Sequence, residues 1–210
     1  MTRPSRNTDR SMLDVGLTMV KEAGVTSLNI RDLATRAGVN LGMFHYHFKT
    51  KDAFARQVLQ EIYDANFVHF TAAITAHPEV PAVDQLRGVL GAVARFAREE
   101  RSFLAGLAMD LANGSAVVRD FVQTNFPRHM KIIFELLVKA QAEGGIVNLA
   151  PPTLIAFIAS SIMGPSFAAA MVTRVQGEQF AWLPQIFETF IFSDEAIEQR
   201  LDLVMRGIRL

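Results

Sequence analysis

The sequence predicts an all-α protein of about nine helices, with an N-terminal three-helix domain of helix-turn-helix type followed by a larger C-terminal helical domain. Three observations predict it. Apolar residues recur at helical spacing almost throughout, and no segment alternates cleanly with period two. Residues that cap helices, and glycines that close them, stand at the edges of those runs. Half of the 210 residues are hydrophobic and the formal net charge is zero, so a sizeable core is available and disorder is disfavoured.

The elements follow in order. Asn7 or Thr8 can cap a first helix that carries Met12, Val15, Met19, Val20 and Ala23 on one face and ends at Gly24. Asn29 can cap a short helix through Ala37, with Ile30, Leu33 and Ala34 inward and Gly38 in the left-handed closing position. Asn40 can cap a second short helix to about Phe48. Thr50 opens a long fourth helix through Phe54, Val58, Leu59, Ile62, Phe67 and Phe70. His77-Pro78 to Pro81 reads as a loop. Further helices are expected near 83–99, 102–112, 115–143, 152–176 and 194–209, with starts at Ser115, Thr153 and Ser193 or Asp194 and a stop at Gly144-Gly145.

Composition excludes several kinds of chemistry. There is no cysteine, hence no disulfide, thiolate nucleophile or Cys-ligated zinc, which fits a reducing cytoplasm. The N-terminus has no apolar core of a secretory signal before Met12. Residues 144–173 carry no charge, long enough for a membrane span, but Pro151-Pro152 and Gly164-Pro165 interrupt them, so the expectation is a buried helix and no membrane. No HExxH, P-loop, GxGxxG or GxSxG is present, and His69, His77 and His129 are scattered; no catalytic residue, metal ligand or cofactor is expected.

Charge and aromatic residues point elsewhere. Residues 1–60 hold nine Lys and Arg against five Asp and Glu, a balance of +4, and the remainder balances at −4. A basic head suits a polyanion. Within that head, two short helices joined at Gly38 make a helix-turn-helix over residues 29–48. Ala34 is small where the helices cross, and Val39 and Phe44 supply the apolar contacts that fix the crossing. The stretch "GMFHYHFKTK", residues 42–51, mixes rings with cations. Phe44 and Phe48 are four apart and share an inward face. Asn40, Leu41, Gly42, Met43, His45, Tyr46 and His47 remain to meet a major groove, with Gly42 leaving room for close approach. Lys49 and Lys51 lie where ammonium groups and the N–H donors of a helix start together attract phosphate. A surface or capping role for His45 or His47, and a merely solvated tail for Arg3, Arg6 and Arg10 in place of a minor-groove arm, are the competing readings.

"TSLNIRDLATRAGVNLGMFHYHFKTKDAF", residues 26–54, resembles the DNA-binding signature of the TetR family of transcriptional regulators, of TetR/AcrR type, and "SMLDVGLTMVKEAG" is similar to the family's first helix. The likeness covers about a quarter of the chain. It implies a DNA-binding domain over 1–52 and a ligand-binding and dimerisation domain over 53–210. Carried over position by position, it gives Ser27, Asn40, Leu41, Met43, His45, Tyr46, His47 and Lys51 as DNA contacts. The family usually places tyrosine where this chain has His45, so the ring's phosphate contact falls to imidazole or to Tyr46. Gly16, where the family commonly has alanine, weakens the first helix slightly.

Beyond the motif, soft apolar residues (Phe103, Leu107, Met109, Phe126, Met130, Phe134, Met163, Phe167 and Met171) can line an irregular pocket for an apolar or aromatic effector, or simply pack a core. Ser160, Ser161, Gly164 and Ala168 on the uncharged helix, which Pro165 should kink, and Ile197, Leu201, Val204 and Ile208 on the last, are candidates for a four-helix homodimer interface; burial within one chain is the alternative. The expectation is a ligand-responsive repressor of a palindromic DNA operator. The rival is a helical small-molecule-binding protein or enzyme whose helix-turn-helix is only structural.

Overall fold

The predicted caps at Asn29, Asn40 and Thr50 form, whereas Asn7 and Thr8, read as caps of the first helix, lie inside it. The computed structural model describes residues 6–75, 79–172 and 181–210. Helix α1 spans Arg6–Ala23, α2 Ile30–Arg36, α3 Leu41–Phe48 and α4 Lys51–Thr75. Asn29 Oδ1 accepts from the N–H groups of Arg31 and Asp32 at 2.9 and 3.2 Å, and Asn40 Oδ1 accepts from Gly42 N–H at 2.8 Å. Thr50 Oγ1 accepts from Ala53 N–H at 3.1 Å. Each satisfies a donor that the first helical turn leaves without a partner, worth about 1 kcal/mol. Gly38, at φ +65°, ends α2 with Val39 N–H donating to Ala34 and its own N–H to Thr35, the paired closure that only a left-handed residue permits.

The remaining helices are α5 Ala82–Glu99, α6 Arg101–Ala112, α7 Ala116–Ala142, α8 Pro151–Ile162, α9 Gly164–Val172, α10 Leu183–Phe187 and α11 Asp194–Ile208, with one π turn at Glu188–Phe192. Among the described residues there are thus eleven α-helices rather than about nine. The expected 152–176 helix is two helices bent by 43° at Met163, because Pro165 has no N–H to donate back and is tolerated only in a new first turn. Its predicted end at 173–176 lies outside the described residues. Helix α10 and the π turn fall in an aromatic run with no helical periodicity, and were not foreseen. Helix α8 starts at Pro151 rather than at Thr153, since proline is pre-set for the first helical position.

The chain divides into two compact units: one takes the chain through Ala65 together with Ser102–Asn125, the other Asn66–Arg101 together with Phe126–Leu210. In the first, Met12, Val20, Leu33, Phe44, Phe48, Phe54 and Leu59 pack with Phe103, Val117 and Val118. In the second, α5 and α11 bury Leu86, Leu90, Ile197, Leu201, Val204 and Ile208 with Leu137 of α7 and Leu154 and Ile158 of α8. No single helix among the described residues is long and apolar enough to cross a membrane; the bent pair Pro151–Ile162 with Gly164–Ala170 passes only jointly, and it buries Leu154, Ile158, Ile162 and Ala169.

Candidate nucleic-acid interface

The interface is built on an aromatic pedestal. Phe44 and Phe48 are buried on the inner face of α3 and meet Phe54 of α4, with ring centroids 5.4 and 4.7 Å apart and near edge-to-face. Burying rings of this size contributes roughly 1.5–3 kcal/mol each. Phe54 in turn packs so closely on α1 that a methyl at Gly16 would stand 2.4 Å from its ring. Helix α3 is therefore fixed on its inner face against both α1 and α4, and its outer face is left to function.

That outer face carries most of the candidate DNA contacts. Asn40, Gly42, His45 and Tyr46 are exposed, Tyr46 to 62%, and Leu41, Met43 and His47 are half-buried. Asn40 Oδ1 is committed to the cap, which leaves its amide N–H groups pointing away from the helix start. Gly42 has that same oxygen as its close neighbour; a Cβ there would lie 3.3 Å from it. The Tyr46 ring stands perpendicular to His47 at 5.1 Å, and the Lys49 ammonium lies 5.8 Å from its centroid while donating to the Tyr46 carbonyl at 3.1 Å. His45 Nδ1 is 3.4 Å from the Lys49 carbonyl and donates to it in the tautomer protonated there. His47 Nε2 is shielded and makes no hydrogen bond.

Between α3 and α4 the backbone turns sharply. Lys49 has φ +64° and ψ −58°, and Thr50 N–H donates to the Phe48 carbonyl across it at 2.7 Å. This is the positive-φ form of the γ-turn, rare and strained for any residue with a Cβ. It sets Lys51 as the first residue of α4, half-buried, with Nζ donating to the Thr26 carbonyl at 3.0 Å. Ser27, next to Thr26, is exposed. The structure thus brings together Ser27, the α3 residues and Lys51 on one unit. Arg10 is drawn aside to Asp14 and Glu61, Arg3 lies outside the described residues, and so does the side chain of Arg6.

The pocket candidates are dispersed. Phe103 and Leu107 pack in the core of the first unit, and Met109 is exposed. Phe126, Phe134 and Phe167 are exposed and Met130 and Met163 half-buried, all in the second unit; the Met171 side chain lies outside the described residues. Of the interface candidates, Ser160 and Ala168 are exposed and Ser161 and Gly164 half-buried. Ile197, Leu201, Val204 and Ile208 are no more than 2% exposed, taken up by the chain's own core. Helical periodicity marks a residue for burial without saying which chain buries it. The outward side of α11 shows Leu203, 68% exposed, and Gly207, whose Cα faces the Phe157 ring of α8.

Sequence reasoning passed over Asp110. This α6 residue is 6% exposed, and its Oδ2 accepts from Val25 N–H at 2.7 Å and Thr26 N–H at 3.3 Å. A lone aspartate near the end of an apolar helix gave no sign of a partner 85 positions away.

Residues 12–58 match the family model described as bacterial regulatory proteins, tetR family. The chain is 25% identical over 187 residues to the HTH-type transcriptional repressor DhaR of Mycobacterium sp. (strain GP1), covering 89% of this chain and 93% of that one. It is 25% identical over 146 residues to the HTH-type transcriptional repressor KstR2 of Mycolicibacterium smegmatis, covering 68% and 69%. A Saccharomonospora viridis structure in complex with choline shares the fold with a TM-score of 0.74 at 16% identity, over 98% of this chain and all of that one. A helix-turn-helix of the expected geometry lies inside the matched segment, so residues 12–58 carry the N-terminal signature of the TetR family of bacterial regulatory proteins.

Proposed function

We propose that the protein is a ligand-responsive repressor that binds a palindromic double-stranded DNA operator as a homodimer and lets go when a small apolar or aromatic effector binds. The observation that carries the reading is the outer edge of α3: polar rings and amides exposed on a helix whose other face is locked by Phe44, Phe48 and Phe54. A rigid helix with an exposed polar edge can enter a major groove and discriminate bases there. In this reading Ser27, Tyr46 and Lys51 hold phosphates, and Asn40, Leu41, Gly42, Met43, His45 and the exposed edge of His47 approach base edges and sugars. No reaction is assigned to the protein, and the reading sets it in the cytoplasm with its DNA.

The repressor sense is supported by the names of two relatives, DhaR and KstR2, and a small-molecule effector by the choline held in a structural neighbour. We assign the effector to the second unit, among Phe126, Met130, Phe134, Met163 and Phe167, soft side chains that can adapt to an apolar guest. We assign the dimer contact to the outward faces of α8, α9 and α11, where Phe157, Ser160, Ala168 and Leu203 are exposed. Two copies related by a two-fold axis would then read half-sites ~34–36 Å apart.

The test is selection of bound duplexes from random or genomic fragments. An inverted repeat should emerge, Tyr46→Ala should weaken its binding by about 5–100-fold with helical content unchanged, and Lys51→Ala should lower the salt slope by up to ~0.9. A pool without inverted repeats, or a Tyr46→Ala protein that binds as well as wild type, refutes the reading.

A further inference from the structure

Asp110 is the one buried acidic side chain among the described residues, and no cationic side chain pairs with it. Its bonds go to backbone N–H groups of the turn that follows α1. Two glycines make that approach possible. A methyl at Gly24, whose φ is +80°, would stand 2.9 Å from Asp110 Oδ2, and one at Gly106 would stand 3.3 Å from the Gly24 Cα. Helix α6 therefore lies backbone against backbone on the α1–α2 turn, with the carboxylate inserted where the turn presents its donors.

The same turn is gripped from the other end. Thr26 gives its N–H to Asp110 and its carbonyl to Lys51 Nζ, at 3.3 and 3.0 Å. An anion and a cation thus hold one residue at its two backbone polar groups, and Ser27, the next residue, is exposed beside them. Charge-assisted bonds are about twice as strong as neutral ones, and a buried N–H left without an acceptor carries its full desolvation cost. Without the carboxylate, the N–H of buried Val25 loses the acceptor it has in the structure, and the exposed Thr26 loses its tie to α6. Thr26 would shift, and the Lys51 ammonium, on its flexible four-carbon stem, would lose the carbonyl that steadies it.

We propose that Asp110 is a positioning residue for DNA binding, acting through Thr26 to hold Ser27 and Lys51 in place for phosphate. This rests on the reading that their edge of the molecule meets DNA, and it assigns to α6 a part in operator affinity that requires no effector.

A double-mutant cycle tests it, using a duplex that the wild-type chain selects from random DNA. Asp110→Asn keeps the side-chain volume and an acceptor oxygen but removes the charge. It should retain wild-type circular dichroism, weaken duplex binding about tenfold, and lower the salt slope by close to one phosphate contact, ~0.9. In a Lys51→Ala background the same substitution should cost less than about twofold, because contacts that act through one another are not additive. A loss of equal size in both backgrounds, or none in either, overturns the proposal and leaves Asp110 as a helix anchor only. If Asp110→Asn does not fold, Gly106→Ala carries the test. It pushes α6 off Gly24 while keeping the carboxylate, and it should show the same non-additivity with Lys51→Ala; simple additivity refutes the proposal. A wild-type chain that binds no duplex at all is a separate result, and it defeats the function proposed above.

Discussion

Single residues decide how firmly the recognition helix is held, and Gly16 shows why intrinsic preference is a poor guide to them. As a helix-interior glycine it costs roughly 1 kcal/mol relative to alanine. The Phe54 ring occupies the space its side chain would fill, 2.4 and 2.7 Å from where a Cβ would stand. Overpacking of that kind costs about 1–3 kcal/mol, which exceeds the propensity gain. Gly16→Ala should therefore lower the thermal midpoint although it improves helix propensity; a calorimetric midpoint at or above wild type would show that Phe54 can move aside. At this scale the sequence was legible where the chemistry is local. Asn29, Asn40, Thr50 and Ser193 cap their helices as read, because a cap involves a side chain and an N–H only two or three residues on. The Gly16–Phe54 and Asp110–Thr26 contacts were not legible, since each depends on how distant segments come to rest against one another.

Among the elements, α5 and α11 illustrate what pattern can and cannot say. Their buried faces interlock through Leu86, Leu90, Leu201 and Val204, and ion pairs run along the seam. Arg87 reaches Glu198 and Asp202, Arg95 reaches Glu198, and Arg98 reaches Asp194. Hydrogen bonding from Arg98 holds the Asp194 carboxyl below its ordinary range, and Arg87 does the same for Asp202. A carboxylate whose folded pKa is depressed contributes stability above its unfolded pKa and loses it as pH falls through the folded value. The urea midpoint should thus be level near neutrality and decline below about pH 4. Asp202→Asn should shrink that decline, and an equal acid loss in the variant would remove the seam as its source. These pairs are solvent-exposed, so their individual contributions are small. Sequence periodicity located both helices. Pro165 gave away the bend in the 152–176 run, though not that it divides the run into two helices at Met163; the π turn was missed, because a local change of hydrogen-bond register leaves no hydrophobic signature.

For the molecule as a whole, the uneven charge of the sequence is largely levelled by the fold. The unit that holds α3, Lys49 and Lys51 also takes in Glu61, Asp64, Asp110, Arg119 and Asp120, which bring the +4 of the first sixty residues down to +1. An association of two copies through α8 and α11 would cover Phe157 and Leu203, which a single chain leaves 45% and 68% exposed. Leu203→Glu leaves the core residues of α11 untouched, so sedimentation at micromolar concentration should show the wild type as a dimer and the variant as a folded monomer. A dimeric variant would move the interface elsewhere. The γ-turn at Lys49 has a broader consequence. Glycine there would relieve roughly 1–3 kcal/mol of backbone strain, less about 0.5–1 kcal/mol for its greater freedom when unfolded. Evolution in the laboratory under heat alone should accordingly drift toward glycine at position 49, hardening the protein while stripping a cation from its gripping edge. Robustness and hold on a polyanion would thus pull this one site in opposite directions.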